Sequence, residues 1–376
     1  VSAVSDPFPL PPASPEEARL DRHQLERLDA LIARHVAEGR YPGAEIAIAR
    51  HGKLVHWRHF GHDRRDPARL AGPETLWLLF SNTKVLTMAA LWRLIEAGEV
   101  SINDRVADYL PEFAARGKGE ITLFEVATHQ AGFPSASVSR EAWADHARMR
   151  AEVADFSLEW TPGSRVHYHG QSAHLVIAMV IEAVTGEDYR RVIAERVIAP
   201  LGLGGELFVG VPPQTQARCA DIYGPEGVPI PGENTPEFRA AGLPGSGAYG
   251  SARAMAAFYQ MLLNGGRLNG VRLLSPRLIA FVTRDFTGER VDEGMAGIPM
   301  HRGLGPHSRG LGPRIRGLGS LAHPLTFGHG GVGTSYCWGD PESGVSMAYV
   351  TNFLAAEPWH SSRLDRISNL VHAAID

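Results

Sequence analysis

The sequence predicts an α+β fold: an antiparallel sheet built from N- and C-terminal segments, flanked by helices, with a mostly helical domain inserted between them. Strand-like alternation and turn dipeptides lie toward both ends of the chain, while 3.6-residue apolar periodicity dominates its middle. The division expected from this runs 1–78 with 266–376 for a discontinuous sheet domain, 79–265 for the helical domain, and 1–14 for an extended, proline-rich arm.

The elements follow in chain order. Ser14, Pro15 and Glu17 read as a helix start, and Leu25, Leu28, Ile32 and Val36 form its apolar stripe. "AEIAIARHGKLVHWRHF" reads as a hairpin turning at His51-Gly52, with Ala44, Ile46 and Ile48 on one buried face. Helices are expected over Ser81–Ala97, in "ITLFEVATHQAGFP" closed by Gly132 and Pro134, in "SAHLVIAMVIEAVTG" stopping at Gly186, and in "ARAMAAFYQMLLNGG". "LTFGHGGVGTSYCWGD" and "GVSMAYVTNF" read as two strands joined by the turn "DPESG". RGLG recurs at Arg302, Arg309 and Arg316, either as a glycine-rich surface loop or as a basic rim that attracts an anion.

Composition bounds the function. The 376 residues are 44% hydrophobic, ample for a large core. A net charge of -4 argues against nucleic acid or an anionic membrane as partner, leaving a small molecule as the expected one. Cys219 and Cys337 are far apart and lack ligand spacing, so no disulfide framework is expected. The opening residues show no charged n-region followed by an apolar stretch, which favours a cytoplasmic location, although the first residue is Val and leaves earlier processing open. The longest apolar run, Leu175 to Ile181, is too short to span a bilayer. His56, His59 and His62 fall in an extended stretch where a spacing of three alternates faces, and no HExxH occurs, so neither metal nor cofactor is expected.

The chemistry concentrates in "LLFSNTKVLTMAALWRLIE". A lysine three residues after a serine on a helix lies one turn up on the same side, so the Lys84 amine can reach the Ser81 hydroxyl. Burial disfavours the charged amine, which turns the lysine into the base that a serine nucleophile needs. Ser81 in the first turn also offers a backbone N–H free of intrahelical bonding. Tyr168 follows a Pro-Gly turn and precedes a helix, where its phenol can project into a cleft. "FGHGGVG" sets a glycine pair on a strand, the mark of a close approach, and an N–H there can complete an oxyanion hole with that of Ser81.

Taken together, these segments resemble the serine β-lactamase and penicillin-binding-protein-like hydrolases, particularly the class C-like branch with its family VIII carboxylesterases. The resemblance runs from about Leu20 to Asn352, through "EGRYPGAEIAIARHGKLV", "FSNTKVLTMAALWRLIEAGEVSINDRVADYLPEF", "PGSRVHYHG" and "GSGAYGSARAMAAFY" in family order. It implies a β-lactamase/transpeptidase-like fold, Ser81 as the acylated nucleophile of S-x-x-K, Lys84 as its partner and Tyr168 as the tyrosine of Y-x-N. It also implies that His329-Gly330-Gly331 stands at the K-T-G position, with the Val332 N–H as second oxyanion donor. His169 and Gly170, beside Tyr168, are expected to help bind substrate.

Two departures from that pattern favour an ester over a lactam. Gly170 removes the amide side chain of Y-x-N, and His329 replaces a lysine that helps to bind a carboxylate. A D-amino-acid amidase, a weak β-lactamase and a catalytically silent scaffold are the alternatives, and acyl transfer accompanies the esterase reading. "GLPGSGAYG" is not a G-x-S-x-G elbow, because Pro244 stands where glycine is needed. His329 is expected to set the acidic side of the pH response.

Overall fold

The computed structural model describes residues 8–313 and 317–376. Residues 1–7 of the expected arm, and Arg316 of the RGLG repeat, lie outside the described residues. The centre of the fold is a seven-stranded antiparallel sheet. Its strands are β1 (Gly43–Arg50), β2 (Lys53–Arg65), β3 (Ala68–Leu70), β4 (His307–Ser308), β5 (Phe327–Gly331), β6 (Ser335–Asp340) and β7 (Val345–Thr351), in the order β4-β5-β6-β7-β1-β2-β3. The two ends of the chain meet where β1 pairs with β7, Ala47 opposite Ala348.

The hairpin turn falls at His51 and Gly52, both with positive φ, as a two-residue turn matched to strand twist requires. The expectation of one buried face for β1 is too modest, since every residue of the strand is buried. Ala44, Ile46 and Ile48 pack under α1 (Arg22–Ala37) and the C-terminal helix α5 (Trp359–His372). Ala47 and Ala49 face the opposite core. Helices on both sides cover the central strands, while β2 and β3 at the edge stay partly exposed.

Other elements depart from expectation for local reasons. Ser14 and Glu17 do exchange backbone-to-side-chain bonds, but over a single turn that ends at Arg19, whose φ is positive. The long helix α1 starts later, capped by Asp21. "LTFGHGGVGTSYCWGD" contains two strands, not one, because Gly333, with φ +63°, turns the chain back between β5 and β6.

The helix α4 (Ala252–Leu263), expected in the helical domain, lies on the sheet. Its Gln260 amide donates to Ala49 O, Gly344 O and Ser346 Oγ and accepts from Gly52 N–H, and its Ala256 carbonyl accepts from Ser346 Oγ. Beyond α4 lie α2 (Thr83–Glu96) and α3 (Ser172–Thr185), both almost wholly buried. Gly186 closes α3 with φ +70°. Among the described residues no helix is long and apolar enough to cross a membrane.

A buried carboxylate ties these layers together. Glu45 of β1 accepts from the indoles of Trp57 at 2.6 Å and Trp77 at 2.5 Å, and from the first backbone N–H of α4 at 3.0 Å. Glu45→Ala orphans two buried donors and the half-buried Trp57 indole, at about 1–3 kcal/mol for each buried one. The variant is therefore expected to lose about 3 kcal/mol or more in urea unfolding, and an unchanged midpoint would show that these bonds contribute nothing net.

Candidate active site

Ser81 occupies a single 3-10 turn, Phe80–Asn82, that leads directly into α2. The residue before it, Phe80, has φ +44°, a left-handed conformation that costs a bulky residue free energy and holds Ser81 at a sharp corner. The turn is stitched on both sides. Asn82 donates to Leu79 O at 3.1 Å and to Ser335 Oγ on β6 at 3.0 Å, and Thr83 Oγ1 accepts from Ala248 N–H at 2.9 Å.

Lys84 is fully buried. Its Nζ lies 3.0 Å from Ser81 Oγ and 2.7 Å from each of the carbonyls of Gly170 and Gly245. Burial pulls its pKa below the ordinary lysine value; Tyr168 opposes that pull, and the charge of Arg302 adds to it. A neutral amine in this setting donates its two N–H groups to the two carbonyls and presents its lone pair to the Ser81 hydroxyl. The arrangement is that of a base beside a nucleophile.

Tyr168 stands on the chain entering α3. Its ring centroid is 5.0 Å from Lys84 Nζ and 4.9 Å from the Arg302 guanidinium carbon, so the amine and the guanidinium both approach one phenol. Its backbone N–H donates to Asp292 Oδ1 at 2.9 Å.

Ser81, Tyr168, His329, Gly330, Gly331 and Val332 together border one cavity of about 350 Å³. Met295, Met300, Ala355 and Leu364 make much of the remaining wall. Val332 projects from the lip, 62% exposed. The glycines are needed because the strand runs hard against its neighbours. A Cβ on Gly331 would come within 2.6 Å of Leu79 O, and one on Gly330 within 2.6 Å of the Tyr336 ring.

Three site expectations are corrected. His169 does not face the cavity: it is fully buried, its Nε2 accepting from Phe133 N–H and its Nδ1 donating to His167 O. Gly170 is also absent from the cavity wall, and its carbonyl is spent on Lys84. His329 cannot set an acidic limb near neutrality, because burial, Lys84 and Arg302 push its pKa down to about 3. Its Nδ1 donates to Gly330 O at 2.9 Å, so the ring is a neutral wall residue.

The sequence reading does not single out Gly245 or Asp292, and it marks Arg302 only as part of the RGLG repeat. "GLPGSGAYG", dismissed as an elbow, instead supplies the Gly245 carbonyl to Lys84, and its Pro244 carbonyl accepts from Thr87 Oγ1. Its proline and glycines were the available signal for a loop that brings carbonyls close. Arg302 is not an exposed rim charge but a buried partner of Asp292 at 2.7 Å. Arg309 is occupied by the carbonyls of its own loop. As for metal ligands, His146, Glu182 and Asp188 lie together among the described residues, but Arg190 already pairs with Asp188 and Tyr189 N–H with Glu182.

The Beta-lactamase family model matches residues 28–370. The esterase/beta-lactamase LipL of Mycobacterium tuberculosis is 29% identical over 74% of this chain and 69% of its own length. A putative D-alanyl-D-alanine carboxypeptidase of Salmonella typhimurium is 26% identical over 94% of this chain and 88% of its own. The crystal structure of a family VIII carboxylesterase superposes with a TM-score of 0.80 at 27% identity, covering 93% of this chain and 98% of that one.

Gly331→Ala tests the contact between β5 and the Ser81 turn. A methyl there must push the strand off the turn, and displacements near 1 Å cost about 100-fold at reacting centres. Acylation of Ser81 by a fluorophosphonate is expected to slow by about that factor, while thermal stability falls by a few degrees at most. An unchanged labelling rate would mean that the strand has room to spare.

Proposed function

The chain belongs to the Beta-lactamase family, and from that premise we propose that it is a serine carboxylesterase acting on small, fairly apolar, uncharged esters. The observation that carries this reading is a buried lysine whose polar neighbours are two carbonyls and the Ser81 hydroxyl, at the edge of a largely apolar cavity.

Ser81 Oγ attacks the ester carbonyl as its proton passes to the Lys84–Tyr168 pair. The N–H groups of Ser81 and Val332 hold the oxyanion. The pair returns the proton to the departing alcohol, leaving an acyl-enzyme. Water then repeats the sequence, freeing the carboxylic acid and restoring the Ser81 hydroxyl. An alcohol in place of water yields acyl transfer by the same steps. No cofactor enters this scheme.

Two features support an uncharged substrate. His329, with its pKa near 3, offers no cation where a carboxylate would dock, and the Arg302 charge is balanced by Asp292. The likeness to a putative carboxypeptidase favours a second reading, cleavage of a D-amino-acid amide. Gly170 lacks the side-chain amide that would grip such a substrate, which ranks this reading behind the ester. The two cysteines are free and buried, which suits a reducing compartment and supports a cytoplasmic location.

The test is turnover of p-nitrophenyl esters from acetate to hexanoate, beside a D-amino-acid amide and a chromogenic cephalosporin. Wild type is expected to prefer the esters. Ser81→Ala should lose several orders of magnitude in kcat, and Tyr168→Phe a smaller but still large factor. Wild-type rates in both variants would overturn the mechanism, and a wide margin for the amide would replace the esterase with the peptidase.

A further inference from the structure

We propose that Arg302, locked in place by Asp292, is a positioning residue whose fixed positive charge keeps the Lys84–Tyr168 pair short of a proton, ready to accept one from Ser81. This rests on the serine esterase reading given above.

The geometry leaves Arg302 little freedom. It is 1% exposed; its Nε and Nη2 reach Asp292 Oδ2 at 3.1 and 2.7 Å, and its own N–H is held by Thr287 Oγ1 at 2.9 Å. The guanidinium therefore stays over the Tyr168 ring, at the wall of the cavity. Asp292 is completely buried, and its other oxygen accepts from the N–H groups of Tyr168 and Gly294. One carboxylate thus fixes both the backbone of the phenol and the cation that stacks on it.

The charges around Tyr168 can be counted element by element. Lys84 approaches from α2 and Arg302 from the loop before β4. The His129 ring lies 4.9 Å away and that of His329 on β5 lies 6.1 Å away. His169 and His174 stand behind His129. Burial is the leading cause that lowers the pKa of all four histidines, to about 4 for His169 and about 3 for His329, so they are neutral rings near pH 7. Glu357 and His360 border the same cavity. The charges packed against the phenol are then Lys84, Arg302 and, at the backbone end, Asp292. A cation there favours neutral amine over ammonium on Lys84, which draws the shared proton away.

The test is the pH dependence of kcat/KM for p-nitrophenyl butyrate, whose acidic limb reports deprotonation of the pair. Asp292→Asn leaves the guanidinium without its counter-charge and is expected to move that limb to lower pH. Arg302→Gln is expected to move it to higher pH, each by about one unit or more, as charges at this range do. Arg302→Lys should return the limb most of the way toward wild type. Opposite shifts cannot come from general loosening, which lowers the plateau and leaves the limb in place. If Arg302→Gln fails to fold, Asp292→Asn and Arg302→Lys still decide the matter. A limb that stays fixed in the folded variants overturns this inference alone. Wild-type turnover that survives Ser81→Ala overturns the serine mechanism, and this inference with it.

Discussion

Lys84 carries a basic nitrogen into a part of the core where two carbonyls and the Ser81 hydroxyl are within hydrogen-bonding distance and Tyr168 lies close by, and satisfying that nitrogen ties separate segments of the site together. Gly170 O and Gly245 O come from two separate segments, the entry to α3 and the loop before Ala248. An unpaired ammonium at such a depth would cost several kcal/mol, so those segments are tied to α2 as firmly as the lysine is tied to them. The protein holds its own control for this reasoning. Lys118 is also fully buried, and burial lowers its pKa too, but it meets three carbonyls, of Ala115, Ala154 and Phe156. Three acceptors occupy three N–H donors and leave an ammonium with no lone pair to use. Replacing one carbonyl by a hydroxyl is what separates the lysine that can act as a base from the one that ties loops together.

The second constraint is the seam between sheet and helices. Phe80 adopts a left-handed conformation, Asn82 reaches across to β6, and β5 approaches so closely that Gly331 has no space for a methyl. Strain of this kind persists only where the surroundings over-determine it. Here the surroundings are a sheet made from both ends of the chain, with Glu45 binding it to Trp77, just ahead of the turn, and to the start of α4. The reactive corner is thus set by contacts far apart in sequence.

That separation explains what was legible in the sequence. Ser81 and Lys84 sit in one motif whose one-turn spacing fixes mutual reach before any tertiary contact forms, and Tyr168 is marked by its own local Pro-Gly turn and helix start. The strands at both ends, and helices such as Ser172–Thr185, were readable from periodicity and from glycine stops for the same reason. Tertiary reach was not readable. Gly245 acts through a carbonyl, which every residue has, Asp292 sits in a two-residue strand too short to show a period, and the RGLG repeat gives no sign that Arg302 is buried. His169 misled because its neighbour faces the cavity, whereas its own ring turns back to bond Phe133 and His167. The second face of β1 was hidden because Ala47 and Ala49 are too small to signal burial by hydropathy alone.

His329 and Arg302 read as one change of electrostatic design. A lysine on β5 would set a mobile cation toward the substrate, near a second lysine, in a site where charge is costly. A histidine there stays neutral and fills the wall. The cation that remains close to Tyr168 comes instead from Arg302, which is planar, stacks on the ring and is pinned by a buried carboxylate. Its field acts on the proton-accepting pair while its Nε and Nη2 are held by Asp292. The result is a positive charge at the cavity wall, balanced by Asp292 and close to the base.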